Sequence, residues 1–254
     1  MTEVRHHLIT GEPILYAPGR AKRPQWNSEG CPFCPGNEHE TPPEVSRVGE
    51  PWRVRVFPNK FPFAEHHEVI VEAPDHDATF ESIGHAPDVV ATYLDRYRAL
   101  RRFGTVALFK NHGMMAGASL PHLHSQIAAL PFVPPRIARE AEAFARASEC
   151  PLCSVREAVA ENAAFRLIDP QARMFSGERW IVPKRHVSEM TDIEAIDDLA
   201  VMLQFAVRDI SGAYNWLFFN FPDAPRAHCY IAVTPRVSPV AGFELETGTY
   251  VDSL

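Results

Sequence analysis

Asn111-His-Gly-Met-Met-Ala-Gly-Ala-Ser-Leu-Pro-His-Leu-His-Ser-Gln126 is the stretch from which the chain is best read. It holds two histidines two residues apart, His122 and His124, and then Gln126 after the same interval. A small-residue loop, Gly117-Ala118-Ser119, leads in, and Ile127-Ala-Ala-Leu-Pro131 continues as an apolar run that suits a strand. Side chains on a strand alternate faces, so His122, His124 and Gln126 are expected on one side. The same residues would also fit a solvated strand face, and the remainder of the chain must decide between the two readings.

Composition narrows the choice. The chain has 254 residues, 46% hydrophobic and 22% charged, with a formal net charge of −7. Such a length supports one large domain or two small ones around a sizeable core. The acidic balance argues against nucleic acid as the main partner. No apolar run reaches the length of a membrane span, and the first residues lack the pattern of a secretory signal, so a cytoplasmic protein without a membrane partner is expected. The 23 prolines favour short strands and loops over long helices.

Four of the five cysteines form two equal spacings, Cys31-Pro-Phe-Cys34 and Cys150-Pro-Leu-Cys153. In a cytoplasmic chain such pairs suit metal binding or thioredoxin-like redox chemistry better than disulfides. The redox reading needs a helix starting after a buried strand. Cys31 instead follows the polar loop from Gln25, and Pro35-Gly36 follows Cys34, which suits a metal knuckle.

From the first knuckle onward the chain passes twice through one order of elements. Strands are expected at 52–57, 67–72 and 104–110, with an amphipathic helix over 86–102. After a connecting helix over 134–147 come strands at 165–168 and 180–182, a helix over 193–210, and strands at 215–220 and 228–233. Each pass places a histidine after its second strand and another at its last. The first gives Cys31, Cys34, His76 and His122, at intervals of 3, 42 and 46 residues. The second gives Cys150, Cys153, His186 and His228, at intervals of 3, 33 and 42. This is an internal duplication, dividing the chain into halves 1–133 and 134–254. Each half should hold one metal in a Cys₂His₂ set, the environment zinc favours, and four protein ligands make both metals structural.

The duplication also isolates what is unique to the first half. Tyr230 stands where His124 would be, and Ala232 where Gln126 would be. A histidine beyond the metal set, beside a glycine loop and several arginines, points to nucleophilic catalysis on a phosphoryl group. Arg20, Lys22 and Arg23 form a basic turn that suits either a solvated cluster or a phosphate clamp. His6, His7, His39, His66, His67, His85 and His112 have no counterpart in the repeat and are expected to make only local contacts. Cys229 is expected to be buried and inert.

With these residues in place the chain resembles the galactose-1-phosphate uridylyltransferase family, the transferase branch of the histidine-triad superfamily. The resemblance rests on Arg20-Ala-Lys-Arg-Pro24, Cys31-Pro-Phe-Cys34-Pro-Gly36, Pro58-Asn-Lys-Phe-Pro62, Ala73-Pro-Asp-His76, Asn111 to Gln126, and Ala241-Gly-Phe-Glu244. It implies an α+β fold of two tandem histidine-triad-like halves, each an antiparallel sheet with packed helices, in a homodimer. It implies that His124 attacks the α-phosphorus of a nucleoside diphosphate hexose, leaving a nucleotidyl-histidine that a hexose 1-phosphate then discharges. Gln126 would contact the transferring phosphoryl group. Gly117 and Ser119 would line the phosphate loop, Arg20 and Arg23 would neutralise charge, and Asn59 and Asn111 would hold the nucleotide. Cys31, Cys34, His76 and His122 match the family's zinc site, and Glu244 matches a sugar contact. Leu123 and Ser125 replace the proline and glycine usual between these residues, but neither position does chemistry. The segment 241–250 looks more like the ADP-glucose phosphorylase branch, which makes phosphorolysis of an ADP-sugar or a dinucleoside polyphosphate the alternative. Hydrolytic relatives carry a third histidine where Gln126 stands, and glutamine cannot supply a proton at neutral pH. A non-catalytic zinc module is the remaining alternative, opposed by the acidic charge and the surplus His124.

Overall fold

Backbone pairing in this chain is dominated by short antiparallel strands, as its proline content dictates. The computed structural model describes residues 2–23 and 30–252. The polar loop ahead of Cys31 and Pro24 of the basic motif lie outside them. In chain order the elements are β1 (Glu3–His6), β2 (Pro13–Tyr16), β3 (Ser46–Val48), β4 (Val54–Pro58), β5 (His66–Val71) and α1 (Ala86–Leu100). Then follow β6 (Thr105–His112), β7 (His124–Leu130), α2 (Pro135–Arg146), β8 (Ala160–Glu161), β9 (Phe165–Ile168) and β10 (Arg179–Pro183). α3 (Ile196–Val207), β11 (Tyr214–Phe219), β12 (Tyr230–Pro235) and α4 (Gly242–Thr247) complete the chain.

β1 and β2 form a separate hairpin, and among the described residues the other ten strands form one antiparallel sheet. Its order is β3-β4-β5-β7-β6-β11-β12-β10-β9-β8. The order β3-β4-β5-β7-β6 reappears from the opposite edge as β8-β9-β10-β12-β11, so the α+β fold of tandem halves is present. The two expected sheets merge into one, because β6 and β11 pair at the centre with Asn111 opposite Asn215 and Lys110 opposite Trp216.

The helices α1 and α3 cover one face. Val89, Val90, Tyr93, Leu94 and Tyr97 of α1 form the apolar stripe, and they join Leu199 and Leu203 of α3 over Ile70, Ile127, Trp216 and Ile231 of the sheet in one buried cluster. α1 stops two residues short of the expected end, in a 3₁₀ turn over Arg101–Phe103. Gly104 then takes φ 140°, and a Cβ there would meet Leu130 O at 2.0 Å. Only glycine fits that approach, and β6 can start at Thr105 because of it.

The other face differs between the halves. Under the second half, Phe144 of α2 packs with Val182, Phe219, Phe221 and Tyr230, with Ile137, Ala141 and Trp180 alongside. Under the first half lie two smaller apolar groups, Phe33, Trp52, Phe57, Val69, Val71 and Leu120 in one, and Ala64, Ala128 and Leu130 in the other. The face bearing His124 therefore has an open side, while α2 closes the face bearing Tyr230. The prolines at its start marked α2 as a connecting helix but could not say which surface it would cover. β1, β3, β8 and α4 are too short to show a period, and they were not expected.

Candidate active site and metal centres

β7 begins at His124 rather than at His122, which sits in the turn just before it. The expected shared face nevertheless forms. Leu123 and Ile127 enter the helix-covered core, and Ser125 bonds Tyr93 of α1. His124 and Gln126 line the opposite side, and the rings of His122 and His124 both lie against Phe33, at 6.0 and 5.3 Å between centroids.

His124 and Gln126 stand at the base of a cleft of about 270 Å³, walled by Phe33, Phe57, Ser119 and Leu120, with Arg23 and Asn59 at its polar side. His124 Nδ1 lies 2.7 Å from the backbone carbonyl of His122. That carbonyl accepts the Nδ1 proton and leaves the Nε2 lone pair free. Burial holds His124 down at about 4, and the buried Lys110 ammonium acts in the same direction, so the ring is neutral near pH 7. Behind β7, Lys110 donates to the carboxylate of Glu72 and, at 3.2 Å, to His124 O. Tyr93 and Ser125 also bond Glu72. The backbone beneath His124 is thus tied to α1 and β6 by a buried polar network.

Of the residues expected to bind phosphate, Arg23 and Ser119 line the cleft, and Gly117 and Arg20 lie outside its lining. Gly117 ends a 3₁₀ turn over Met114–Ala116 in the left-handed conformation, φ 85°, and its carbonyl accepts a bond from Arg23 at 3.0 Å. Arg20 bonds Phe61 O at 2.7 Å and stands over the Phe63 ring. Burial, and then the neighbouring Arg23, pull Arg20 below its ordinary value, while burial does the same to Arg23. Two crowded guanidiniums of this kind are relieved by an anion. Asn111 does not line the cleft. Its Oδ1 accepts from Asn215 at 2.8 Å, and Asn215 also holds Ala116 O, so Asn111 supports the loop from β6. Glu244 is apart from the rest. It lies on α4 beside a separate pocket with Phe175 and Tyr250, where its carboxylate caps Ala241 N–H at 3.2 Å.

His67 is the residue that sequence reading missed. Rather than making an incidental contact, it is 2% exposed on β5, and its Nε2 lies 3.1 Å from Gln126 Oε1. Asn59 Nδ2 approaches the same oxygen at 3.2 Å. The signal was within the register, since Val69 lies opposite Gln126 and His67 shares the Val69 face. His66 stacks on Phe103, His85 Nε2 lies 2.7 Å from Glu72 O, and His112 stacks on Tyr214 across the two halves. Cys229 is fully buried, and burial pushes its thiol well up.

The two cysteine-histidine sets each converge. In both, the four ligand atoms lie within 4.8 Å of one another. Cys34 Sγ is 3.3 Å from His76 Nδ1 and 3.6 Å from His122 Nδ1. Cys153 Sγ is 3.3 Å from His186 Nδ1 and 3.4 Å from His228 Nδ1. A tetrahedral ion with sulfur at about 2.3 Å and nitrogen at about 2.0 Å needs ligand separations of roughly 3.3–3.8 Å, the range in which these sulfur–nitrogen distances fall. His122 and His186 present Nδ1 while their Nε2 is engaged elsewhere, on Ala73 O and Pro225 O. Burial and the adjacent cysteine push Cys34 and Cys153 up to about 11, and a divalent cation supplies the charge that a pair of thiolates requires. Both sets could hold a metal ion.

No family model matches the chain. Similarity to individual proteins is extensive. ADP-glucose phosphorylase of Arabidopsis thaliana is 29% identical over 311 aligned positions, covering 98% of this chain and 89% of the relative. Galactose-1-phosphate uridylyltransferase of Thermotoga maritima is 32% identical over 261, covering 87% and 81%. Among solved structures, the Arabidopsis ADP-glucose phosphorylase with bound ADP-glucose superposes with TM-score 0.82 at 28% identity, over 99% of this chain and 95% of that one. A uridylyltransferase structure gives TM-score 0.82 at 26% identity, over 100% and 94%. With 32% identity to the Thermotoga maritima enzyme over 87% of this chain, and superposition on a uridylyltransferase along its whole length, the chain belongs to the galactose-1-phosphate uridylyltransferase family.

Proposed function

We propose that the protein is a nucleotidyltransferase that moves a nucleoside monophosphate from a nucleoside diphosphate hexose to a phosphate-bearing acceptor through a covalent nucleotidyl-His124. The observation that carries this reading is the free Nε2 of His124, neutral and fixed by the His122 carbonyl, beside Gln126 in a cleft. The Nε2 lone pair attacks the α-phosphorus. The bond from phosphorus to the bridging oxygen breaks, and hexose 1-phosphate leaves with that electron pair. An acceptor phosphate oxygen then attacks the same phosphorus, the N–P bond breaks, and His124 is restored with its Nδ1 proton unmoved. Gln126 donates to the phosphoryl oxygens as charge shifts. Arg20 and Arg23, with Gly117 and Ser119 of the loop, bind the phosphates. Asn59 shapes the nucleotide side directly, and Asn111 does so only through the loop that it supports with Asn215. The first metal set holds His122, and through it the turn into β7, while the second braces the C-terminal half. Zinc is the metal proposed for both. Glu244 meets a sugar hydroxyl only in a homodimer that brings α4 of one protomer to the cleft of the other.

The leading acceptor is a hexose 1-phosphate, with UDP-glucose as the corresponding donor. The second reading is phosphorolysis of an ADP-sugar by inorganic phosphate, favoured by similarity to ADP-glucose phosphorylase over 98% of the chain. In both, Gln126 leaves the intermediate without a proton-transfer partner for water, so it waits for an acceptor. The test is incubation with UDP-glucose or ADP-glucose alone, followed by mass spectrometry of the peptide bearing His124. One nucleotide on His124 is expected, discharged by galactose 1-phosphate under the first reading and by inorganic phosphate under the second. An unmodified His124 with every donor removes the transferase reading.

A further inference from the structure

The turn between β4 and β5 ends in a series of groups whose hydrogen-bond polarity the backbone dictates. Phe61 N–H donates to Asn59 Oδ1 at 2.8 Å, which makes Asn59 Nδ2 the free donor end. Phe63 N–H approaches His67 Nδ1 at 3.3 Å. A neutral imidazole that accepts at Nδ1 carries its proton on Nε2. Burial brings His67 down to about 3 against the raising effect of Gln126, with Arg20 and Arg23 adding to the fall, so the ring is neutral wherever the protein works. The Asn59 and His67 donors stand 3.2 Å apart and converge on Gln126 Oε1. A reversed carboxamide would set the Gln126 amino group against two N–H groups. Its oxygen is therefore the end held back against β5, and its amino group is the end left for the cleft.

We propose that His67 is a positioning residue for the phosphoryl transfer: with Asn59, its Nε2–H fixes the Gln126 carboxamide so that the amide hydrogens meet the transferring phosphoryl oxygens. The proposal rests on the nucleotidyl-His124 reading. It accounts for the close packing of the Phe63 ring on His67, 4.0 Å between centroids and tilted by 43°, which restricts the imidazole. It also gives the Pro58-Asn-Lys-Phe-Pro62 turn a task, since this turn supplies Asn59 and orients both donors.

The test compares His67→Phe, His67→Gln, Gln126→Leu and the double variant His67→Phe/Gln126→Leu. The rate of His124 labelling is followed by rapid quench across donor concentrations, alongside metal content and urea midpoint. His67→Phe should slow labelling about tenfold with little change in the half-saturating donor concentration, the worth of one oriented hydrogen bond. His67→Gln, which keeps a donor on that side, should recover most of the rate. In the Gln126→Leu background His67→Phe should cost less than about twofold more, because the group it acts through is gone. Equal impairment by Phe and Gln, full loss in the Gln126→Leu background, or a normal rate in His67→Phe each overturns the proposal. If the wild-type protein takes no label, the transferase reading itself fails instead. Histidine ¹⁵N spectra of the wild-type protein give a check that no folding defect confounds: His67 should be the Nε2–H tautomer at pH 7, and an Nδ1–H tautomer overturns the assignment.

Discussion

His124, Gln126 and His67 are three polar side chains on two adjacent strands, and their sequence signals differ. His124 and Gln126 were legible by subtraction, because the repeat puts Tyr230 and Ala232 at their places. His67 was not legible. Its partner is 59 residues away, its neighbours on the same strand face are the apolar Val69 and Val71, and a lone histidine has no period. The same residue carries a stability signature. In the unfolded chain its ring titrates near 6.5, and in the fold near 3, because burial penalises the imidazolium. A folded pKa below the unfolded one gives stability that is complete above the unfolded value and is lost as pH falls towards the folded one. Between pH 7 and pH 5 that loss is about 2 kcal/mol for one such group. Urea unfolding of wild-type and His67→Gln protein at both values should show the wild type losing about that much more than the variant. Acid loss of metal affects both proteins and cancels in the comparison. Equal losses would mean that the ring is not held neutral.

At the scale of elements, the metal loops and β7 form one mechanical unit. His122 presents Nδ1 to the cysteines, its Nε2 is held by Ala73 O, and its own carbonyl orients His124. The spacing of the two knuckles was readable because a tetrahedral ion needs four ligands whatever connects them. The course of α2 was not, since amphipathicity tells that a helix has an apolar face but not what lies beneath it. Its place matters for function: Phe144 lies 5.4 Å from the Phe221 ring on the face that in the first half is open. The unequal roles of the two metal sets can be measured. Elemental analysis of the wild-type protein is expected near two ions per chain, one for each set. Cys153→Ser should lower that by one and leave His124 labelling within about threefold of normal. Cys34→Ser should also lower it by one but reduce labelling by at least about tenfold, because the support of the His122 carbonyl is lost. Labelling that survives Cys34→Ser would separate the first metal from the chemistry.

At the scale of the molecule, the repeat seen in the sequence did not disclose how the two halves would join. β6 was expected as a strand, but its pairing partner was not readable, because Asn111 and Asn215 are 104 residues apart and neither run shows which edge it offers. In the fold these strands close one sheet, and α1 and α3 enter a single buried cluster that includes residues of both halves, from Val54 to Val233. The hydrogen bonds of Arg101 to Glu189, both at 2.6 Å, and of Gln204 to Ile83 O at 2.9 Å tie the helices across the same seam. A boundary at 133/134 is therefore proposed as a boundary of the repeat and not of folding, since neither half closes its own core. Apolar surface shared in this way makes unfolding of one half expose the other, which couples their melting. Scanning calorimetry of the metal-loaded protein should show one transition, with a calorimetric enthalpy equal to the van't Hoff value. Removing the second metal through Cys153→Ser should shift that whole transition downward rather than split it. Two resolved transitions, with only the later-numbered half displaced by the substitution, would show that the halves fold independently and that the central β6–β11 pairing adds little to cooperativity.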